Sequence, residues 1–95
     1  MLKHEQIVQA VNEAVKEYPL TKVAYFGSYA DGNATEKSDL DLLVEFEQKN
    51  ISLLTIIGLK HLIEDKLGVS VDVIHAPIPP TSLIQVKNEV LVYGQ

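Results

Sequence analysis

Asp39 and Asp41 stand one residue apart at the head of the apolar run Leu42-Leu43-Val44. Side chains alternate faces along a strand, so the two carboxylates share a face while Leu40 and Leu42 take the other. Paired carboxylates repel each other, and a divalent cation with oxygen ligands relieves that repulsion. Upstream, Gly27-Ser28 follows a second apolar run, Val23-Ala24-Tyr25-Phe26. A strand that ends in Gly-Ser and passes into a short helical turn offers backbone N–H groups to phosphate. A third acid, Asp72, breaks the apolar sequence Val71, Val73, Ile74. An unpaired buried carboxylate is costly, so Asp72 is expected beside Asp39 and Asp41, sharing metal ions with them. Each piece alone has an ordinary reading: aspartates at a strand mouth are often solvated, and Gly-Ser commonly makes turns. The joint pattern points to metal and phosphate chemistry.

The elements that position these residues follow from periodicity. His4 to Tyr18 reads as an amphipathic helix, with Ile7, Val11, Ala14, Val15 and Tyr18 at helical spacing and Pro19 ending it. Lys22 to Phe26 reads as a strand. Gly27 to Ser38 is a polar connection with a helical turn near Ser28, and Leu40 to Phe46 is a second strand. Ser52 is placed to cap a helix over Leu53 to Leu67, with Gly68 as its stop. This helix carries more apolar residues than one core-facing stripe needs. Either it packs deeply on the sheet, or part of it docks a partner or a second copy. Val69 to His75 reads as a third strand. Beyond Pro77, Pro79 and Pro80, the Ser82 and Gln85 capping-box pattern predicts a last helix over Leu83 to Leu91. The predicted class is α/β (α+β), a small mixed β-sheet with helices packed on it.

Composition narrows the function. A chain of 95 residues is expected to form a single domain over residues 1–95. Cysteine is absent, which removes disulfides, thiolate metal sites and a cysteine nucleophile and fits a cytoplasmic setting. No apolar run reaches membrane-spanning length, so no membrane association is expected. All basic residues are lysines and the net charge is -5, so direct DNA or RNA binding is not expected. His4, His61 and His75 show no metal-ligand spacing. His61 is expected to be solvated, while His75, just past Asp72, is a candidate to approach the site.

Gly27-Ser28, Gly32 and Ser38-Asp39-Leu40-Asp41-Leu42-Leu43-Val44, with Asp72 on a later strand, resemble the minimal nucleotidyltransferases of the DNA polymerase β-like superfamily. The resemblance covers nearly the whole chain and implies a polymerase β palm-like nucleotidyltransferase fold. It implies that Asp39, Asp41 and Asp72 are catalytic and ligate two Mg²⁺ ions, with Asp72 near the attacking hydroxyl. Gly27 and Ser28 would hold the phosphates of a nucleoside triphosphate, ATP as substrate. The family pattern often reads Gly-Ser-Arg-Ala-Arg-Gly, whereas Tyr29 and Asp31 stand at the arginine positions here. Tyr29 is expected to pack or lie at the surface, and Lys37 to be an exposed loop lysine.

The resemblance further implies a HEPN-type helical partner protein, with this chain as its antitoxin and AMP transferred to a hydroxyl on the partner. Two alternatives stay open. One is a non-catalytic binding module that neutralises its partner by docking, and the other is an enzyme modifying a small molecule such as an aminoglycoside. A homo-oligomer is also compatible with the apolar helix.

Overall fold

The computed structural model describes residues 2–48, 50–75 and 88–94. The elements are α1 (His4–Ala14), β1 (Leu20–Phe26), α2 (Ser28–Asp31), β2 (Leu40–Phe46), α3 (Leu53–Leu67), β3 (Val71–His75) and β4 (Glu89–Tyr93). The four strands form one mixed sheet in the order β3-β2-β1-β4. β1 lies antiparallel to both β2 and β4, and β2 lies parallel to β3.

β2 shows why the sheet has two unlike faces. Leu40, Leu42, Val44 and Phe46 are buried, while Asp41, Leu43 and Glu45 between them are half-buried. The buried set meets Ile7 and Val11 of α1 and Leu59 and Ile63 of α3 in one core cluster. Burying a large aliphatic side chain of this kind contributes about 1.5–3 kcal/mol, so the core draws both helices onto that face. The other face stays open.

The helix boundaries follow local chemistry. The Ser52 Oγ accepts from Thr55 N–H at 3.2 Å, and Gly68 closes α3 in the left-handed region at φ 71°. Both ends of α3 lie where the sequence places them. α1 is shorter than expected: it ends at Ala14, not Tyr18. The next residues wind more tightly, with Lys16 N–H bonding Glu13 O and Glu17 N–H bonding Ala14 O, before Pro19. Lys66 Nζ of α3 meets Glu13 Oε2 of α1 at 2.9 Å and ties the helices at the surface.

The expected last helix is corrected in part. Residues 88–94 are described, and Glu89–Tyr93 is a strand paired with β1, Val90 opposite Tyr25. Valines and a tyrosine fit a half-buried pleated edge better than a helix. The Ser82 and Gln85 pattern and the proposed start at Leu83 lie outside the described residues. β3 begins at Val71, not Val69. Among the described residues no helix is long and apolar enough to cross a membrane.

Candidate active site

The acids converge because of register. In the antiparallel pair Phe26 sits opposite Asp41, and in the parallel pair Asp41 sits opposite Asp72. Phe26, Asp41 and Asp72 therefore form a row across three strands, on the open face at one end of the sheet. Asp39 lies in the turn just ahead of β2 and is exposed. That turn is closed by Ser38, whose Oγ accepts from Thr35 N–H at 2.8 Å. Leu40 N–H bonds Ser70 O at 2.9 Å, which holds the start of β2 against the approach to β3.

Gly27 leaves β1 with φ 71° and ψ -146°, a conformation essentially reserved for glycine. A Cβ there would run into Asp41 Oδ2. The backbone at Gly27 thus passes directly against the carboxylate. Gly27 O accepts from Ala30 and Asp31 N–H at 3.1 and 3.0 Å, winding the single turn of α2. The first N–H groups of such a turn have no partner within it. Gly27 and Ser28 thus stand at the start of this turn, with Gly27 beside Asp41.

Asp41 carries the electrostatic signature of the site. Burial first, then the charges of Asp72 and Asp39, and finally a hydrogen bond with Asp72 hold its carboxyl above the usual carboxylate range. The charges of Asp72 and Asp39 thus both reach Asp41, which gives a cation a reason to bind there. The reason differs at Asp72, which is exposed rather than buried. β3 ends the sheet among the described residues, so charge repulsion with Asp41, not desolvation of Asp72, is what a cation would relieve.

Among the described residues no three His, Cys, Asp or Glu side chains form a ready-made metal cage. A hard cation such as Mg²⁺ does not need one, because it keeps several waters and takes one or two carboxylates plus substrate phosphates. The all-oxygen donor set of Asp41 and Asp72, with Asp39 at the adjoining turn, fits that chemistry.

The other sequence candidates separate cleanly. Tyr29 packs against the core. Asp31 accepts from Asn88 Nδ2 at 3.1 Å, tying the spacer to the start of β4. Lys37 and His61 are exposed. His75 does not join the acids: its ring stands edge-on to Phe46 at 5.3 Å, on the core side of β3. One feature was not legible from the motif. A groove of about 450 Å³ opens beside Asp41 and Asp72, with Phe26 and Lys60 at its rim and α3 as one wall. The surplus of apolar residues on α3 is the sequence signal for it.

A protein adenylyltransferase, MntA, from Thermococcus cleftensis is 39% identical over 71 residues, 74% of this chain and 71% of that protein. The chain spans about two thirds of the length of Methanocaldococcus jannaschii relatives it matches, at 38% identity. A chain from a toxin-antitoxin crystal structure with AMP-PNP superposes with a TM-score of 0.77 at 21% identity, covering 99% of this chain and 75% of that one. A second, from a complex of tri-AMPylated Shewanella oneidensis HEPN toxin with MNT antitoxin, gives 0.72 at 16% identity, covering 98% and 74%. These two establish a shared fold. Residues 5–94 match the nucleotidyltransferase domain family, and with the identity to MntA this places the chain in that family of enzymes, in its minimal form.

Proposed function

We propose that this protein is a Mg²⁺-dependent protein adenylyltransferase that modifies a HEPN-type helical partner as its antitoxin. The observation that carries the reading is the Asp41–Asp72 row, with Asp39 at its edge and the Gly27 backbone against it. Asp39, Asp41 and Asp72 would hold the metal, which would supply charge neutralisation for the triphosphate. Gly27 and Ser28 cradle the phosphates of ATP. The acceptor hydroxyl oxygen bonds to the α-phosphorus, the bond from that phosphorus to the pyrophosphate oxygen breaks, and the hydroxyl proton passes to the Asp72 carboxylate. AMP ends on the acceptor and pyrophosphate leaves.

The relative from Thermococcus bears the name protein adenylyltransferase, and the Shewanella complex contains an AMPylated HEPN toxin. The absence of cysteine suits a reducing cytoplasm, where ATP and Mg²⁺ are at hand. The chain works as one domain, with the partner completing the site.

Incubation with labelled ATP, Mg²⁺ and the HEPN-type partner is expected to label the partner, and Asp39→Asn or Asp41→Asn to abolish the label. Absence of label with the unaltered protein sinks the reading. The exposed apolar start of α3 favours one second reading, neutralisation by docking alone. It predicts that Asp41→Asn binds and neutralises the partner as well as the unaltered protein does.

A further inference from the structure

The groove that starts at Asp41 and Asp72 runs away from them between β3 and the first half of α3, walled by Leu53, Ile56, Ile57 and Val73. α3 leaves Leu53 71% exposed, Leu54 81% and Ile57 38%. The same helix buries Leu59 and Ile63 completely, so its packing needs are met without the first turns. A contiguous exposed apolar surface joined to a reactive centre marks a binding surface.

The order of elements across the sheet, with the phosphate site proposed above, bears on which substrate belongs there. Gly27 follows β1, Asp41 lies on β2 and Asp72 on β3, and these strands are neighbours in that order. In an in-line displacement the entering oxygen and the leaving pyrophosphate lie on opposite sides of the phosphorus. With the leaving phosphates over Gly27 and Ser28, the entering oxygen comes from the β3 side, where the groove opens.

We propose that this groove is the acceptor-docking site. It receives a segment of the acceptor protein in which a hydroxyl side chain reaches Asp72 and flanking apolar side chains lie on Leu53, Ile56 and Ile57. The proposal rests on the reading of adenylyl transfer to a protein, and it adds the surface that chooses the acceptor. An apolar groove beside the metal acids also suits the adenine ring of ATP, and an apolar helix start also suits a second copy of this chain. The experiment separates the three.

Leu53→Glu and Ile57→Glu are made in the full chain, two variants so that a folding defect in one leaves the other to decide. Partner affinity is measured by interferometry, AMP-PNP affinity with Mg²⁺ by calorimetry, and AMP transfer as a function of partner concentration. Both variants are expected to raise the partner Kd and the KM for partner by about tenfold or more, with the AMP-PNP Kd moving by less than about twofold. Unchanged partner affinity and KM overturn the proposal. Weakened AMP-PNP binding with intact partner affinity overturns it in favour of an adenine site, and loss of self-association alone does so in favour of a dimer face. If the unaltered protein transfers no AMP yet Leu53→Glu still weakens the partner, docking in the groove stands and the transfer reading falls. If the unaltered protein labels its partner and both variants do so with the same KM, transfer stands and the groove falls.

Discussion

Gly27 and Asp41 lie close together in the site, and each makes a demand on the other. At φ 71° and ψ -146°, with Asp41 Oδ2 where a Cβ would stand, position 27 excludes every side chain. Gly27→Ala is expected to cost about 1–3 kcal/mol from the backbone alone, to push the Asp41 carboxylate out of the row, and to end AMP transfer. Urea unfolding together with the label assay checks both effects, and an active, fully stable variant contradicts them. Asp41 works in the opposite sense on stability. Its carboxyl titrates above the usual range because of burial and then of Asp72 and Asp39. The folded protein therefore keeps this proton to higher pH than the unfolded chain does. Stability then falls as pH rises from the ordinary carboxylate range through the raised value. Asp41→Asn removes that loss. In buffers free of divalent ions the variant is expected to match the unaltered protein at low pH and to exceed its urea midpoint at pH 7. A midpoint at pH 7 below that of the unaltered protein means that repulsion among the acids does not govern the site.

At the scale of elements, local signals were legible and long-range ones were not. α3 runs from its Ser52 cap to its Gly68 stop as read, and β2 alternates as read, because each boundary depends on residues within a few positions of it. Asp39 and Asp41 were legible by residue type and spacing, and Asp72 only as an acid that interrupts an apolar run. The register that puts Asp72 opposite Asp41, and the exposure of Asp72 at the edge, depend on how β3 meets β2 and left no local mark. The groove was half legible, as a surplus of apolar residues on α3 without the wall that β3 supplies. The clearest failure is Glu89–Tyr93, where Val90, Val92 and Tyr93 form a strand only because β1 offers them an edge far away in sequence. Val90→Ala tests that pairing with opposite signs for the two structures. In a helix, alanine in place of valine stabilises by a few tenths of a kcal/mol. Opposite Tyr25 in a sheet it loses a cross-strand contact and is expected to cost on the order of 0.5–1 kcal/mol. A lowered urea midpoint is the expected outcome, and a raised one contradicts the strand.

For the molecule as a whole, charge sets the terms on which a nucleotide binds. The chain carries a net charge of -5 and no arginine, and the spacer after Ser28 holds Tyr29 and Asp31, which are committed to the core and to Asn88. A triphosphate therefore meets a negative protein across a negative row of acids. At about 4 Å two unit charges interact by about 4 kcal/mol at an effective dielectric of 20, so several such encounters defeat binding by backbone amides alone. On the proposed reading, metal and nucleotide are expected to bind with strong cooperativity. AMP-PNP alone is expected to leave the thermal midpoint almost unchanged, and Mg²⁺ alone to raise it slightly by relieving Asp41 and Asp72. Together at about 100 times the joint Kd they add about 2.7 kcal/mol, and each kcal/mol moves the midpoint of a domain this size by about 4–8 °C. Asp41→Asn starts from a higher midpoint without ions and loses the joint shift, so the two curves cross as Mg²⁺ and AMP-PNP are titrated in. Raising ionic strength screens the exposed acids and is expected to narrow the gap between AMP-PNP with and without Mg²⁺. A full shift with AMP-PNP alone, or an undiminished joint shift in Asp41→Asn, places the nucleotide away from the row of acids.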